Sequence, residues 1–524
     1  MKRRFNTTGL CNPKKHYMVD ITNKMKQIKE MIDYGDYFTI NRGRQYGKTT
    51  LLRQLRRFLA EEYLVISMSF ESWGDESFST SEAFCQNFLS DVRQALKIVE
   101  ISEDYQNQWV DRAVSNFSEL ARHIEKMCQG KKVVLMIDEV DKTSNNRVFL
   151  QFLGMLRAKF LDREDEVGTT FHSVILAGVY DIKNIKLKMI NDGLYIPEIG
   201  ENHLRNSPWN IAVEFKVDMA FSASEIKTML IEYEKDYKTG MDLTIVAQEL
   251  FDYTNGYPFM VSRLCQIIHQ ESQWLSWDVY GVRRAVSLFL REDNRLFSDM
   301  SKNLENHKDL YDLMYDVIIL GLVRSFSFDS PIIEMAFRYG YITFNERHQV
   351  RIFNKVFETR MSNYFVAKNE INSPGQKTSA VYHEIATDDE FNMVLCLKKF
   401  ADFFNKDIFP TKDKQLLEIQ YRISFLSYLK PLLNGVGHYH QESQLSDERR
   451  MDLVINYGRH EYLLELKRVF AESDRTEGLE QLLGYMNNRS TKTGYYLTFD
   501  FRKKSEPKVQ WLEFDGRRIF EVSV

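Results

Sequence analysis

Two short, β-branched apolar runs set the fold class of this chain. Val133 to Ile137 (VVLMI) and Ser173 to Val179 (SVILAGV) are bounded by polar residues or glycine, the pattern of strands buried on both faces. Longer helical patterns, such as Thr50 to Glu61 and Asn146 to Phe160, lie before and between them. Strands alternating with helices require a parallel sheet, so residues 1–215 read as an α/β domain.

From about Phe221 the strand signal fades. SASEIKTMLIEYEKDY and PFMVSRLCQIIHQESQWL carry apolar residues at helical spacing, with Ser222 or Ser224 able to cap the first. Residues 216–300 therefore read as a helical unit, and 301–366 as helices around a GYITFN strand, an NERHQ turn and a VRIFN strand, which suggests a winged helix. The polar stretch 367–390, with Pro374 and Gly375, reads as a linker. Residues 391–524 then give a long helical region, strands in RMDLVINYG and HEYLLELKRV, a helix around GLEQLLGYM and a strand at TGYYLTF: a second, separate α/β domain.

Length and composition agree with several ordinary globular units. The 524 residues are 44% hydrophobic and 27% charged, enough apolar surface for real cores. Seventy Lys and Arg against 74 Asp and Glu leave a net charge of −4, so any surface for nucleic acid or an anionic membrane must be local. Cys11, Cys85, Cys128, Cys265 and Cys396 are scattered and odd in number, which argues against a disulfide framework and fits a reducing compartment. The opening MKRRFNTTGLC lacks the apolar stretch of a signal peptide, and no run approaches the ~20 apolar residues of a membrane span. The expectation is a soluble cytoplasmic protein with no membrane partner.

The first chemical signal lies in DYFTINRGRQYGKTTLLRQLRRFL, a strand, a loop and a helix. Gly43 and Gly47 permit a tight loop, and the helix N-terminus with Thr50 offers backbone N–H groups to phosphate oxygens. Lys48 supplies a cation for the outer phosphates and Thr49 a hydroxyl for Mg²⁺. The usual GxxxxGK[ST] pattern would put its first glycine at 42, where this chain has Arg42, so the loop is a variant. Ninety residues beyond Lys48, the apolar run ends in Asp138 and Glu139, at the strand end where a parallel sheet opens toward its ligand. There Asp138 can hold Mg²⁺ through water and Glu139 can polarise an attacking water.

These residues resemble the P-loop ATPases of the AAA+ and STAND type, with Lys48 and Thr49 matching Walker A and Asp138 and Glu139 matching Walker B. TNGYPFMVSRLC, from Thr254 to Cys265, looks like the TxGxP segment of the helical lid in those proteins. The opening HYMVD with RQYGKTT resembles bacterial AAA-ATPase-like proteins, whose loop often carries Arg or Gln in place of the first glycine. The resemblance spans roughly residues 1–365 and implies ATP with Mg²⁺ as cofactors. No sensor residue can be assigned at the tip of SVILAGVYD, and Arg205 is the one candidate phosphate contact before the lid.

The second signal is RRMDLVINYGRHEYLLELKRV. Asp452 starts one strand, and Glu465 and Lys467 alternate on the next, so the two project to one side while Leu464 and Leu466 face the core. Asp452, Glu465 and the Leu466 carbonyl can hold a hard divalent cation, and Lys467 can orient or deprotonate a water, as metal-assisted phosphodiester hydrolysis requires. The pattern is that of the PD-(D/E)xK nuclease superfamily, with Met451 in place of the proline. Upstream, Glu418 lies on an amphipathic helix where that superfamily places a further carboxylate. Downstream, Gln481 and Tyr485 resemble the QxxxY signature of the RecB-type branch.

The resemblance implies an ATP-dependent switch coupled to a nuclease using Mg²⁺ or Mn²⁺, with nucleic acid (DNA first) as partner, homo-oligomerisation open, and defence or mobile-element biology as context. A nucleotide-dependent binding or signalling scaffold without cleavage stays open beside it. His438 and His440 in GHYHQE have ligand-like spacing on a strand just before the nuclease strands, but two histidines without a placed third ligand read as structural or solvated.

Overall fold

The computed structural model describes residues 2–99, 101–109, 114–140, 147–178, 209–372, 382–387, 390–408, 414–433, 436–443, 450–502 and 508–524. The chain divides into two compact units, one of Thr8–Ala220 with Arg338–Gly340, the other of Met1–Thr7, Phe221–Phe337 and Tyr341–Val524.

The first unit runs α1 (Thr22–Asp33), β1 (Tyr37–Asn41), α2 (Lys48–Leu59), β2 (Leu64–Ser69), α3 (Ser81–Lys97), α4 (Glu103–Gln108), α5 (Phe117–Cys128), β3 (Val133–Asp138), α6 (Arg147–Glu164) and β4 (Ser173–Gly178). Its four strands lie in the order β1-β4-β3-β2 and every pairing is parallel. Phe38 adds an isolated parallel bridge to Val213 at the β1 edge. Val133 to Ile137 are all fully buried, which is why that strand reads as an unbroken apolar run: helices cover both faces. Phe84 and Phe88 of α3 pack with Phe149 and Phe152 of α6 in one core cluster. Each such burial removes apolar surface worth about 1.5–3 kcal/mol from water.

The second unit begins with α7 (Ala223–Tyr237), α8 (Leu243–Thr254), α9 (Pro258–Gln270), α10 (Val279–Phe289), α11 (Arg295–Asn306), α12 (Lys308–Ile318) and α13 (Pro331–Arg338). Ser222 caps α7 through a capping box with Glu225. The α8–α9 corner explains the TNGYP motif. Gly256 has φ +69°, a Cβ there would sit 1.9 Å from the Phe221 carbonyl oxygen, and Pro258 opens α9 where its missing N–H costs nothing. A short antiparallel hairpin follows, β5 (Ile342–Phe344) with β6 (Val350–Ile352), and then α14 (Lys355–Asn372).

The rest comprises α15 (Tyr382–Ile385), α16 (Met393–Phe403), α17 (Lys414–Leu433), β7 (His438–Ser443), β8 (Arg450–Tyr457), β9 (His460–Val469), α18 (Glu472–Asn488), β10 (Thr493–Asp500), β11 (Val509–Phe514) and β12 (Arg517–Ser523). Six strands form a mixed sheet in the order β11-β12-β10-β9-β8-β7. β10 is parallel to both β9 and β12, and the other pairings are antiparallel.

The expected linker does not separate compact units. α14 continues to Asn372, into the stretch read as linker, and its Thr359 and Ser362 hydroxyls bond to the Tyr439 carbonyl and hydroxyl on β7 at 2.8 and 2.9 Å. His438 of β7 bonds Ser287 of α10 at 2.7 Å and Tyr253 of α8 at 3.1 Å. Arg283 of α10 bridges Glu249 and Glu461 at 2.8 and 3.1 Å. Buried polar groups must be paired, so this network ties the helices to the sheet, and the C-terminal sheet belongs to the helical unit instead of standing apart. Residues 373–381 and 388–389 of the expected linker lie outside the described residues.

Candidate functional site

In the first unit the loop after β1 is shaped by its glycines. A Cβ at Gly43 would approach the Tyr339 carbonyl oxygen to 2.7 Å, so only glycine fits the backbone there. Gly47 is the N-cap of α2 in the left-handed conformation (φ +82°), and no side chain caps that helix start. Its first N–H groups thus point into the loop, the arrangement that receives an anion. Lys48 is buried, and its Nζ donates to the carbonyl oxygens of Arg42 and Gly43 at 2.8 and 3.1 Å, which sets the ammonium inside the loop. Thr49 is exposed at the helix start, and Thr50 accepts a long 3.5 Å bond from the Cys11 N–H. Burial lowers the Arg42 guanidinium from its ordinary range, so the residue replacing the first glycine is partly withdrawn from water.

At the far end of β3, Asp138 is 4% exposed and stands opposite Ser69 in the β2 register. Its Oδ1 accepts the Glu139 N–H at 3.0 Å. Glu139 itself has φ +56°, an unfavourable region for a residue with a Cβ, held at the strand tip. Arg205 and residues 179–181 of the SVILAGVYD tip lie outside the described residues.

In the second unit the acid and lysine pattern falls on the inner strands of the six-stranded sheet. The register pairs Val454 with Leu463 and Leu453 with Leu464, and its continuation by one residue sets position 452 across from Glu465. Glu465 pairs with Tyr496 on β10, and Lys467 with Thr498. Leu463, Tyr496 and Val454 pack with Leu479, Leu482, Tyr485 and Met486 of α18, so Glu465 and Lys467 share the face that α18 covers. The opposite face is covered too: Tyr421 of α17 packs on Phe499, and Arg468 lies over the Tyr421 ring. The sequence places Leu464 and Leu466 alone in the core. Instead Leu463 to Leu466 are all buried, Glu465 included at 2% exposure, because helices lie on both faces.

Lys467 makes a contact that the sequence reading misses. Its Nζ meets Glu477 of α18 at 3.0 Å. Glu477, Gln481 and Tyr485 recur every four residues, one stripe down a helix, so extending the QxxxY stripe back by one turn would have found Glu477. Beside this stripe, Arg475 is clamped by Glu472 at 3.1 Å and by the fully buried Glu521 of β12 at 2.5 Å. Glu418 lies on α17, the helix over the opposite face, and the side chains of Glu418 and Asp452 are outside what the structure describes. Among the described residues no group of three or more His, Cys, Asp and Glu side chains gathers to hold a metal ion. His438 and His440 are buried in the helix-to-sheet network. Burial, with Arg283 and Lys355 nearby, holds His438 down at about 3 and His440 well below the usual imidazole value, so both are neutral.

A family model described as an AAA-like domain matches residues 12–320, more than half of the chain. The protein belongs to this AAA-like family. The matched stretch contains the loop at Gly43 to Thr50, the strand tip at Asp138 and Glu139, and the helices through α12. An AAA-like P-loop ATPase implies ATP as the nucleotide, typically with Mg²⁺.

Among solved structures, a Walker-type ATPase of Pyrococcus abyssi aligns at 13% identity and a TM-score of 0.46, over 68% of this chain and 99% of that one. The Aeropyrum pernix ORC2 protein, in ADPNP-ADP complexes, aligns at 11% identity and a TM-score of 0.35, over 67% of this chain and 93% of that one. The Thermotoga maritima RuvB Holliday junction branch migration motor gives 11% identity and a TM-score of 0.32, over 63% and 92%. At these similarities no functional argument rests on them. No curated protein matches the chain. Among the described residues no helix is long and apolar enough to cross a membrane.

Proposed function

We propose that this AAA-like protein is an ATP-binding and ATP-hydrolysing switch coupled to a divalent-metal-dependent phosphodiesterase, acting on nucleic acid, with DNA as the first candidate. In this reading Gly43, Gly47, Lys48, Thr49 and Thr50 take the phosphates, and Thr49 with Asp138 would hold Mg²⁺, which neutralises phosphate charge when bound. Glu139 orients the attacking water. The open N-terminus of α2 and the inward-set Lys48 support it.

The observation that carries the second activity is the buried carboxylate of Glu465, facing position 452 across the β8–β9 register and sharing its face with Lys467. A cation held by Asp452, Glu465 and the Leu466 carbonyl would polarise a phosphodiester at this buried strand. Lys467 holds the water, and Gln481 lines the same helix face as Glu477; Glu418, on α17 over the opposite face of the sheet, is left out of this site. The Lys467–Glu477 contact favours a second reading in which the lysine is structural and the domain binds nucleic acid without cutting it.

Cleavage of labelled single-stranded and double-stranded DNA and RNA with Mg²⁺ or Mn²⁺ tests the proposal. Cutting that is lost in both Asp452→Ala and Glu465→Gln supports it. Nucleic-acid binding without cutting by wild-type protein moves the assignment to the scaffold.

A further inference from the structure

The first turns of α18 are fastened to β10 and β12. Arg475 donates through Nε and Nη2 to the two carboxylate oxygens of the fully buried Glu521 at 2.5 and 2.6 Å, and the Tyr496 hydroxyl of β10 donates to the Arg475 carbonyl at 3.1 Å. Gly478 lets the helix come this close, because a Cβ there would meet the Tyr496 hydroxyl at 2.3 Å. Glu477 lies between these two anchors in the chain, so its backbone is held over the sheet by contacts that other residues make. Lys467 reaches Glu477 from β9, ammonium to carboxylate, at 3.0 Å. Asp474, one turn earlier, is also acted on by the Lys467 charge, but its carboxylate is committed to the N–H groups of Phe470 and Ala471 at 2.8 and 2.9 Å.

The Glu477 side chain is 59% exposed and that of Lys467 24%, and a pair so open to water adds little stability. What it does instead is restrict an ammonium on a flexible four-carbon stem. Lys467 shares its face with the buried Glu465, two residues back on β9, so the aim of the ammonium sets where a water beside that carboxylate is held. We infer that Glu477 is a positioning residue of the phosphodiesterase site, holding Lys467 beside Glu465 so that the lysine orients the attacking water. The inference rests on the phosphodiesterase reading above and gives the Lys467–Glu477 contact a role other than a purely structural one. Glu477 acts through Lys467 alone. Its charge has the wrong sign for phosphate, so by electrostatics alone its removal would strengthen nucleic-acid binding. Positioning predicts slower cutting, an effect of opposite sign.

Single-turnover cleavage of labelled DNA and RNA, each single-stranded and double-stranded, by the full chain with Mn²⁺ tests this in wild type, Glu477→Gln, Glu480→Gln and Asp452→Ala. Glu480 is an exposed carboxylate on the same helix and serves as the charge control. The expected result is a rate about tenfold or more lower in Glu477→Gln and unchanged in Glu480→Gln, while the nucleic-acid affinity and the Tm of Glu477→Gln stay at or above those of wild type. A Glu477→Gln rate equal to or above that of wild type overturns the inference. So does a slower rate accompanied by a matching fall in Tm, the mark of a structural lysine. In both cases cutting that Asp452→Ala abolishes leaves the phosphodiesterase reading standing, whereas no cutting by wild type overturns that reading and this inference together.

Discussion

At Gly256, one hydrogen decides whether the α8–α9 corner can close. The position needs both a left-handed backbone and room for a carbonyl that a Cβ would meet at 1.9 Å. Gly256→Ala should therefore destabilise the protein by about 3 kcal/mol or more, combining backbone strain with forced displacement, as measured by denaturant unfolding. A loss under about 1 kcal/mol would mean that the corner yields freely. Lys48 and Glu139 carry a chemical prediction at the same scale. Lys48→Ala should abolish ATP binding, whereas Glu139→Gln should leave binding intact and slow phosphate release by about 10²-fold or more. Equal loss of binding in both variants would deny Glu139 its separate role. These residues were legible in the sequence because their chemistry is local: a loop, a helix start and the end of an apolar run. Glu477 shares a legible stripe with Gln481 and Tyr485, but its pairing with Lys467 was not legible, because it depends on α18 lying over β9.

The contact between β7 and helices α8, α10 and α14 is an element-scale device, and it predicts a pH dependence. His438 and His440 stay neutral inside the fold, while in the unfolded chain they protonate near 6.5. Below that value the unfolded state binds more protons, so stability falls as pH drops from about 6.5 toward 3, by up to about 1.4 kcal/mol per unit for each histidine. Above 6.5 their contribution is fully present. Denaturant unfolding of wild type and His438→Gln at pH 7, 6 and 5 should show a shallower acid limb in the variant; parallel limbs would contradict neutral burial. From sequence the two histidines read as structural or solvated, and their burial leaves the first; a linker was placed between their strand and the preceding helices. Composition marks polar stretches well. It cannot show that Thr359, Ser362 and Tyr439 will bond across them. The strand β11 escaped for a related reason: it is largely exposed at the sheet edge, and edge strands carry little apolar pattern.

For the molecule as a whole, the parallel sheet of the first unit and the mixed sheet of the second each bring carboxylates to a strand that is buried on both faces. Asp138 ends one such strand, and Glu465 lies within the other, next to the Leu453–Leu464 pair of the β8–β9 register. The family match covers the first site and ends before the second, so the coupling between them is the central claim. Metal-dependent cleavage of labelled DNA, followed with and without ATP in wild type, Lys48→Ala and Asp452→Ala, tests it most directly. The account predicts cutting by wild type that responds to ATP, cutting by Lys48→Ala that no longer responds, and none by Asp452→Ala. Cutting that survives in Asp452→Ala, or an identical ATP response in wild type and Lys48→Ala, would contradict it.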